Sequence, residues 1–264
     1  MSESRLSAAW ARLSAARRTA LIPYLTAGYP SAQVSLDALR AADEVADIIE
    51  VGVPFSDPLA DGPTIQRSTF EALQAGMTLA GTLELISRAR LARPVVVFSY
   101  LNPILRYGVE RFLREADQLG VGGLLLTDLP AGNDPGVESA VQASPLDLIR
   151  LVAPTTRPDR LRVAVAGAEG FVYLVARLGV TGATASLAKG LGDSIGELRR
   201  ATRLPIAVGF GISTPAQAFE VAQLADGVVV GSALVDVLGR EGVAGAGGFL
   251  RSLREAIDRQ PALR

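Results

Sequence analysis

The sequence lacks several residue types that enzymes commonly use. It has no cysteine and no histidine, and it has one lysine and one tryptophan in 264 residues. Without cysteine there is no disulfide and no thiolate nucleophile. Without histidine there is no His-ligated metal site, and we expect no metal. Acid–base chemistry near neutral pH must therefore come from carboxylates, tyrosines or the lone Lys189.

Charge and hydropathy exclude further classes of protein. The formal net charge is −1, so no basic field favours nucleic acid or an anionic membrane. No apolar run approaches the length of a membrane span. Residues 1–18 lack the continuous apolar segment of a signal peptide. We expect a cytoplasmic protein with neither a nucleic-acid partner nor a membrane association.

Short apolar runs rich in β-branched residues alternate with helical patterns along the whole chain. This alternation is typical of parallel βαβ units. Eight units in 264 residues favour a single (β/α)8 TIM barrel over residues 1–264 with additional short helices, and an open doubly wound sheet is the alternative. The strand candidates are residues 21–25, 47–51, 94–98, 122–126, 147–152, 170–175, 205–210 and 227–231.

Helix start signals agree with this alternation. Ser31 follows Pro30 as a good cap for an apolar pattern that repeats at helical spacing. Residues 109–120 place apolar side chains on one face and stop at Gly120. In the stretch that begins at Ser213, we expect Ser213 or Thr214 to cap a helix with Pro215 in its first turn.

Glu50 is the first candidate functional residue, because it lies near the end of the second strand. Alternation along a strand places Ile49 and Val51 toward the surrounding helices, so Ile48 and Glu50 point into the barrel. Functional residues of such barrels lie at the carboxyl ends of the strands. A carboxylate there needs a raised pKa or a structural partner such as an arginine, and both interpretations stay open.

Asp61 is the second candidate, in a loop that Pro54, Pro58 and Pro63 stiffen. The sequence "ADG" is also an ordinary turn, in which an aspartate satisfies its own backbone. Proximity to the end of the second strand favours a functional role. In a polar turn we expect the pKa of Asp61 to stay low.

Glycine-bearing turns follow the last three strands, at residues 179–182, 209–213 and 231–238. TIM barrels frequently bind phosphate with the loops after strands seven and eight and the start of a short helix. Backbone N–H groups at such turns and the hydroxyl of Ser232 suit an anion, and no lysine is needed. The alternative is that these glycines only relieve crowding in tight turns.

Seven segments carry a resemblance to a known family. They are "LIPYLTAGYP", "IIEVGVPFSDPLADGPTIQRS", "SYLNP", "LLLTDLP", "FVYLVARLGVTG", "VGFGIS" and "GVVVGSALV", in this order. Together they resemble the α subunit of tryptophan synthase. The resemblance implies a (β/α)8 barrel that cleaves indole-3-glycerol phosphate to indole and glyceraldehyde 3-phosphate in L-tryptophan biosynthesis. It also implies that indole passes to a β subunit.

The resemblance implies a role for individual residues. The catalytic set is Glu50, Asp61 and Tyr173. The substrate-binding and phosphate-binding set is Tyr24, Tyr100, Thr181, Gly182, Phe210, Gly211, Gly231 and Ser232. The implied contacts with a β subunit are Pro54, Asp57, Pro58, Asn102 and Pro103. This chain would need no cofactor, pyridoxal phosphate would belong to the β subunit, and the complex would be an α2β2 heterotetramer.

Two carboxylates suffice for this cleavage because indole supplies its own electron sink. Aldolases use a lysine Schiff base or a metal for that purpose. Protonation of the indole C3 atom lets the bond to the glycerol chain break as the 3′-hydroxyl loses its proton. We expect Glu50 to move both protons and Asp61 to hold the indole N1–H as an anion.

Three other functions fit parts of the sequence. A phosphorylated-sugar isomerase would share the glycine turns but not the whole motif at residues 50–68. A non-catalytic subunit would not need both Glu50 and Asp61. A glycosidase would use paired carboxylates, but Trp10 is the only tryptophan and no aromatic sugar platform is evident.

Overall fold

The computed structural model describes residues 4–153, 155–175, 184–209 and 211–259. In these residues eight parallel strands close into a barrel in chain order, β1 pairing with β8, which confirms the predicted (β/α)8 fold and excludes the open sheet. The strands are β1 Ala20–Thr26, β2 Ile49–Gly52, β3 Val95–Ser99, β4 Val121–Leu126, β5 Asp147–Val152, β6 Val172–Val175, β7 Ile206–Gly209 and β8 Gly227–Val230.

Helices surround the barrel and cover one of its ends. They are α1 Arg5–Ala15, α2 Ala32–Asp43, α3 Pro63–Gln74, α4 Leu79–Ala89, α5 Leu101–Tyr107, α6 Val109–Gln118, α7 Pro135–Gln142, α8 Pro158–Ala164, α9 Thr184–Ala201, α10 Pro215–Ala222 and α11 Ser232–Asp258. The predicted caps are present. The Ser31 hydroxyl accepts a hydrogen bond from the Val34 N–H at 3.3 Å, and Thr214 forms a capping box with Gln217.

The apolar core has two layers. The outer layer, between strands and helices, contains Ile49 and Val51. The inner layer fills the barrel and contains Ile48, Val96 and Leu125. This division confirms the predicted alternation in β2, and it leaves Glu50 on the inner face.

Helix α1 closes the amino-terminal end of the barrel. Leu6, Trp10 and Leu13 on this helix join the inner apolar layer, and the Trp10 ring centroid lies 5.7 Å from that of Phe171. Because the indole is buried here, it serves as a plug and offers no platform to a sugar.

A buried ion pair fastens the last helix to the same end. The Arg254 guanidinium donates to Asp47 at 2.9 Å and to the carbonyl of Thr19 at 3.1 Å. Asp47 also accepts a hydrogen bond from the backbone N–H of Leu21 at 2.9 Å. These bonds hold α11 against the starts of β1 and β2.

The short helix expected after β8 is present as the first part of α11. The span Ser232–Asp258 consists of two helical stretches separated at Gly242 (φ 69°, ψ −166°). Glycine tolerates this positive φ, so the chain breaks there and resumes its helical course. Strand β6 begins at Val172 and not at residue 170, because Gly170 has φ 65°.

None of the helices in the described part of the chain is long and apolar enough to cross a membrane.

Candidate active site

A cavity of about 310 Å³ opens at the carboxyl ends of the strands. It brings together side chains from β1, β2, β6 and the loops after β2, β7 and β8. Seven of the predicted site residues line it: Tyr24, Glu50, Asp61, Tyr173, Gly211, Gly231 and Ser232. The eighth described member of the predicted set, Tyr100, lies behind Asp61.

Glu50 sits on the wall of the cavity with 1% of its surface exposed. Neither carboxyl oxygen has a hydrogen-bond partner among the described residues. Within the described ranges, therefore, no arginine and no backbone N–H group pairs with Glu50. Burial raises the pKa of the Glu50 carboxyl to about 8, because the charged form loses its hydration. Near neutral pH this side chain is mainly protonated and can donate a proton.

Asp61 faces the same cavity from the proline-stiffened loop. The Tyr100 hydroxyl donates to its Oδ2 at 3.1 Å, and the backbone N–H of Ala60 donates to that hydroxyl at 2.9 Å. Loss of hydration raises the pKa of Asp61 to about 6, against the opposing effect of the Tyr100 hydrogen bond. The expected low pKa is wrong, since burial outweighs the hydrogen bond. Asp61 is nevertheless mainly ionised at neutral pH.

Two buried tyrosines flank Glu50. Burial raises the pKa of both Tyr24 and Tyr173 above the ordinary value, so both phenols stay neutral. Each ring occupies space that a glycine leaves open. A Cβ at Gly52 would overlap the Tyr24 hydroxyl, and a Cβ at Gly209 would overlap that of Tyr173. The end glycines of β2 and β7 thus make room for the tyrosines of β1 and β6.

The glycine turns after β7 and β8 form another wall of the cavity. Gly211 has φ 81°, which favours glycine. Gly231 is the N-cap of α11, and it has no side chain to accept from the first N–H groups of the helix. Ser232 begins the helix beside it. This wall suits an anionic oxygen group.

Three predicted binding residues, Thr181, Gly182 and Phe210, lie outside the described residues. Their assignments stay predictions.

The predicted partner-contact residues lie around the rim, in the loop after β2 and at the start of α5. Asp57 and Asn102 are exposed, and Pro58 and Pro103 are half-buried. Pro54 is buried, so its side chain supports the loop from beneath. Sequence reasoning missed two apolar neighbours, Leu59 and Leu105, which are 88% and 47% exposed.

Sequence analysis also missed two residues that line the active-site cavity, Phe98 and Asp236. Phe98 packs edge-on against Tyr24 with ring centroids 5.2 Å apart. Strand alternation could have found it, since Phe98 pairs in register with Gly52 just beyond Glu50. Asp236 lies near the glycine wall and is neutralised by Arg67, 2.6 Å away. No sequence signal marked Asp236. Among the described residues no cluster of acidic side chains could hold a metal ion.

Two acidic side chains at the carboxyl ends of a closed parallel barrel define an acid–base enzyme of the (β/α)8 class. Comparison with known proteins identifies the family. The family profile described as "Tryptophan synthase alpha chain" matches residues 10–252. The chain therefore belongs to the tryptophan synthase alpha chain family. It is a carbon–carbon lyase that cleaves indole-3-glycerol phosphate in tryptophan biosynthesis.

Individual relatives agree over nearly the full length. The tryptophan synthase alpha chains of Chloroflexus aurantiacus and Chloroflexus aggregans are each 44% identical, covering 97% of this chain and 99% of the relative. A chain of Mycobacterium tuberculosis tryptophan synthase superposes with a TM-score of 0.88 at 40% identity, covering 97% of this chain and 99% of that chain. Tryptophan synthase subunit alpha from Legionella pneumophila gives 0.89 at 33% identity, covering 98% and 100%.

Proposed function

We propose that Glu50 and Asp61 divide the proton transfers of indole-3-glycerol phosphate cleavage between them. The observation that carries this proposal is the buried carboxyl of Glu50, which has no partner in the described part of the chain, in the same cavity as an ionised Asp61. Two carboxyl groups whose surroundings push their pKa values apart can act as acid and anion at the same pH. Here the acid would be Glu50 and the anion Asp61.

In the first step the protonated Glu50 gives its proton to C3 of the indole ring. Positive charge then develops on the ring, and the Asp61 carboxylate stabilises it by accepting a hydrogen bond from N1–H. The Tyr100 hydroxyl keeps Asp61 oriented. Asp61 does not itself take up a proton in this scheme.

In the second step the bond between C3 and the glycerol chain breaks, and its electron pair returns to the indole ring. The 3′-hydroxyl loses its proton to the Glu50 carboxylate and becomes the aldehyde of glyceraldehyde 3-phosphate. Glu50 regains the proton that it gave, so the cycle closes without a cofactor in this chain. Tyr173 lies on β6 beside Glu50, and its neutral phenol can donate to the reacting oxygen.

The phosphate is assigned to the wall made by Gly211, Gly231 and Ser232, where backbone N–H groups and the start of α11 meet the cavity. Tyr24 and Phe98 would hold the indole ring against Glu50. Thr181, Gly182 and Phe210 are expected to complete the binding site.

The direct test is indole release by the purified chain. Replacement of Gly211 by leucine should raise KM for indole-3-glycerol phosphate more than for its unphosphorylated analogue, because a side chain would obstruct the N–H groups. Replacement of Gly248, a glycine of α11 with open space around it, is the matched control. Equal losses with both substrates would contradict the phosphate assignment.

The assembly that we propose is an α2β2 complex in which indole passes to a β subunit that carries pyridoxal phosphate. The rim at Asp57, Pro58, Asn102 and Pro103 is the proposed contact surface. Support comes from the exposed Leu59 beside it, because a side chain exposed to 88% gains free energy when a partner covers it. We place this single-domain biosynthetic enzyme in the cytoplasm.

The partner proposal has its own experiment. Indole release is measured at saturating β subunit and without it. A partner that presses on the loop would fix Asp61, and positioning errors of about 1 Å can cost ~10²-fold in rate. Asp57→Ala should therefore reduce activation more than basal cleavage, and exposed Asp159→Ala on α8 is the control. An unchanged activation ratio for Asp57→Ala would rule out coupling through this loop.

A further inference from the structure

A second cavity, of about 640 Å³, lies at the opposite end of the barrel from the active site. We call it the basal cavity. It lies between α1, the end of α4 and the segments that lead into β3 and β4. Its floor includes the buried side chains of Ile86 and Val95. Four arginines line it: Arg5, Arg12, Arg90 and Arg93.

Two of these arginines have their charge satisfied at least in part. Arg5 forms an ion pair with Asp117 at 2.8 Å. Arg93 donates from Nε to the carbonyl of Asp43 at 3.4 Å. Within the described ranges, Arg12 and Arg90 make no side-chain hydrogen bond and no ion pair. Ser87 and Gln118 also line the cavity and add further polar side chains.

The backbone at Arg90 is unusual as well. Arg90 ends α4 in the left-handed conformation with φ 53°. Glycine or asparagine ordinarily takes this position, because a Cβ is disfavoured there. An arginine in that position projects its charge into the cavity at some cost in backbone free energy. Strain of this kind supports a functional hypothesis when other features point the same way.

We propose that the basal cavity binds a small phosphomonoester that carries an apolar group. The dianionic phosphate would lie between Arg12 and Arg90, whose donors have no acceptor in the described part of the chain. The apolar part would lie on Ile86 and Val95. The whole chain has a formal net charge of −1, so it is not a basic protein that attracts anions in general. A cluster of arginines in one cavity therefore needs a local explanation.

A neighbouring cavity at the same end supplies a matched control. It measures about 370 Å³ and is also lined by arginines, among them Arg17 and Arg203. Arg17 is left-handed too, with φ 51°. Each cavity is lined by four arginines. In the neighbouring cavity Asp226 is part of the lining, Arg199 pairs with it at 3.2 Å and Arg18 pairs with Asp47 at 3.2 Å, whereas none of the described residues that line the basal cavity is a carboxylate.

The test uses phenyl phosphate as the probe and isothermal titration at low ionic strength. The full chain, Arg12→Gln/Arg90→Gln and Arg17→Gln/Arg203→Gln are compared. We expect two binding sites in the parent, one at the active site and one in the basal cavity. The first double variant should weaken the second site at least about tenfold, the second variant should leave it unchanged, and added salt should weaken it in the parent.

The lone Trp10 gives a second readout, because it lines the neighbouring cavity and is not among the residues that line the basal cavity. Phenyl phosphate should leave its fluorescence unchanged in the parent, and a change that Arg17→Gln/Arg203→Gln abolishes would place the second site in the neighbouring cavity and overturn the proposal. One equivalent bound in all three proteins would overturn the proposal, and so would equal weakening by both double variants. Indole release, which both variants retain, shows that they are folded, and a failure of the proposed catalytic roles would not affect these results.

Discussion

The two ends of the barrel treat buried charge in opposite ways. At the amino-terminal end, Asp47 is buried but accepts bonds from Arg254 and from the Leu21 N–H. At the carboxyl-terminal end, Glu50 is buried and neither of its oxygens has a partner among the described residues. A paired charge fastens elements together, whereas an unpaired carboxyl keeps its proton and stays reactive. One end of the fold is thus organised for stability and the other for proton transfer.

The largest expected effect is on catalysis at the unpaired carboxyl. Glu50→Gln should lower kcat by ~10²–10⁴-fold with little change in substrate binding, because an amide cannot shuttle a proton. Asp61→Asn should have a similar effect, since a neutral amide cannot stabilise the charge at N1. Exposed Glu71→Gln on α3 is the control, and indole release is measured for all. A kcat for Glu50→Gln within a few-fold of the parent would end the proton-shuttle assignment.

The second largest expected effect is on the free energy of unfolding, at the amino-terminal end of the barrel where Asp47 is paired with Arg254. Arg254→Ala should lower the free energy of unfolding by about 3 kcal/mol, because Asp47 would remain buried with a weaker set of partners. Exposed Arg251→Ala on the same helix is the matched control. Urea denaturation gives the stability, and kcat of the folded fraction should stay near the parent value. A large drop in kcat would show that the two ends are not independent.

Loss of the Glu50 carboxyl should raise the free energy of unfolding, whereas loss of Arg254 should lower it. A glutamate in the unfolded chain titrates near pH ~4.3, whereas Glu50 in the fold titrates at about 8. Between these values the folded state holds more protons, so the contribution of Glu50 to stability falls as pH rises through this window.

Glu50→Gln removes that titration and should stabilise the fold on the order of 1–3 kcal/mol at pH 8, and little at pH 4. The unpaired amide will offset part of the gain. Thermal unfolding of parent and variant across this pH range is the measurement. A variant that is less stable than the parent at pH 8 would mean that Glu50 is paired after all.

The smallest effect concerns the hydrogen bond to Asp61. The pH profile of kcat/KM should be bell-shaped, with an acid limb near 6 from Asp61 and an alkaline limb near 8 from Glu50. The Tyr100 hydroxyl lowers the pKa of Asp61, so Tyr100→Phe should move the acid limb to higher pH. Tyr107→Phe, whose hydroxyl bonds Glu115 on the surface, should not move it.

Local patterns in the sequence predicted much of this architecture. The caps at Ser31 and Thr214 and the inward direction of Glu50 all follow from spacing over a few residues. The partners of Asp61 and Asp47 do not. Tyr100 lies 39 residues from Asp61, and Arg254 lies 207 residues from Asp47. Such contacts depend on how the strands register around the barrel, which no local pattern records.

The expectation of a low pKa for Asp61 was wrong for the same reason, because burial of this carboxyl depends on contacts that no local pattern records. The turn "ADG" looks polar in sequence, and an exposed turn would have left its carboxyl hydrated. Asp61 instead lines the cavity, and Phe55 of the same loop packs against Tyr100 with ring centroids 5.0 Å apart. Hydration is a property of the assembled surface, so a pKa of about 6 became evident only in three dimensions.

The glycines that face the two buried tyrosines limit the order in which this active site can change by mutation. A side chain at Gly52 is blocked while Tyr24 is present, and one at Gly209 is blocked while Tyr173 is present. In each pair, the tyrosine must be replaced by a smaller residue before the glycine can be replaced by a larger one. A larger residue at Gly52 or Gly209 should therefore occur only in chains where the facing tyrosine has already been replaced by a smaller residue.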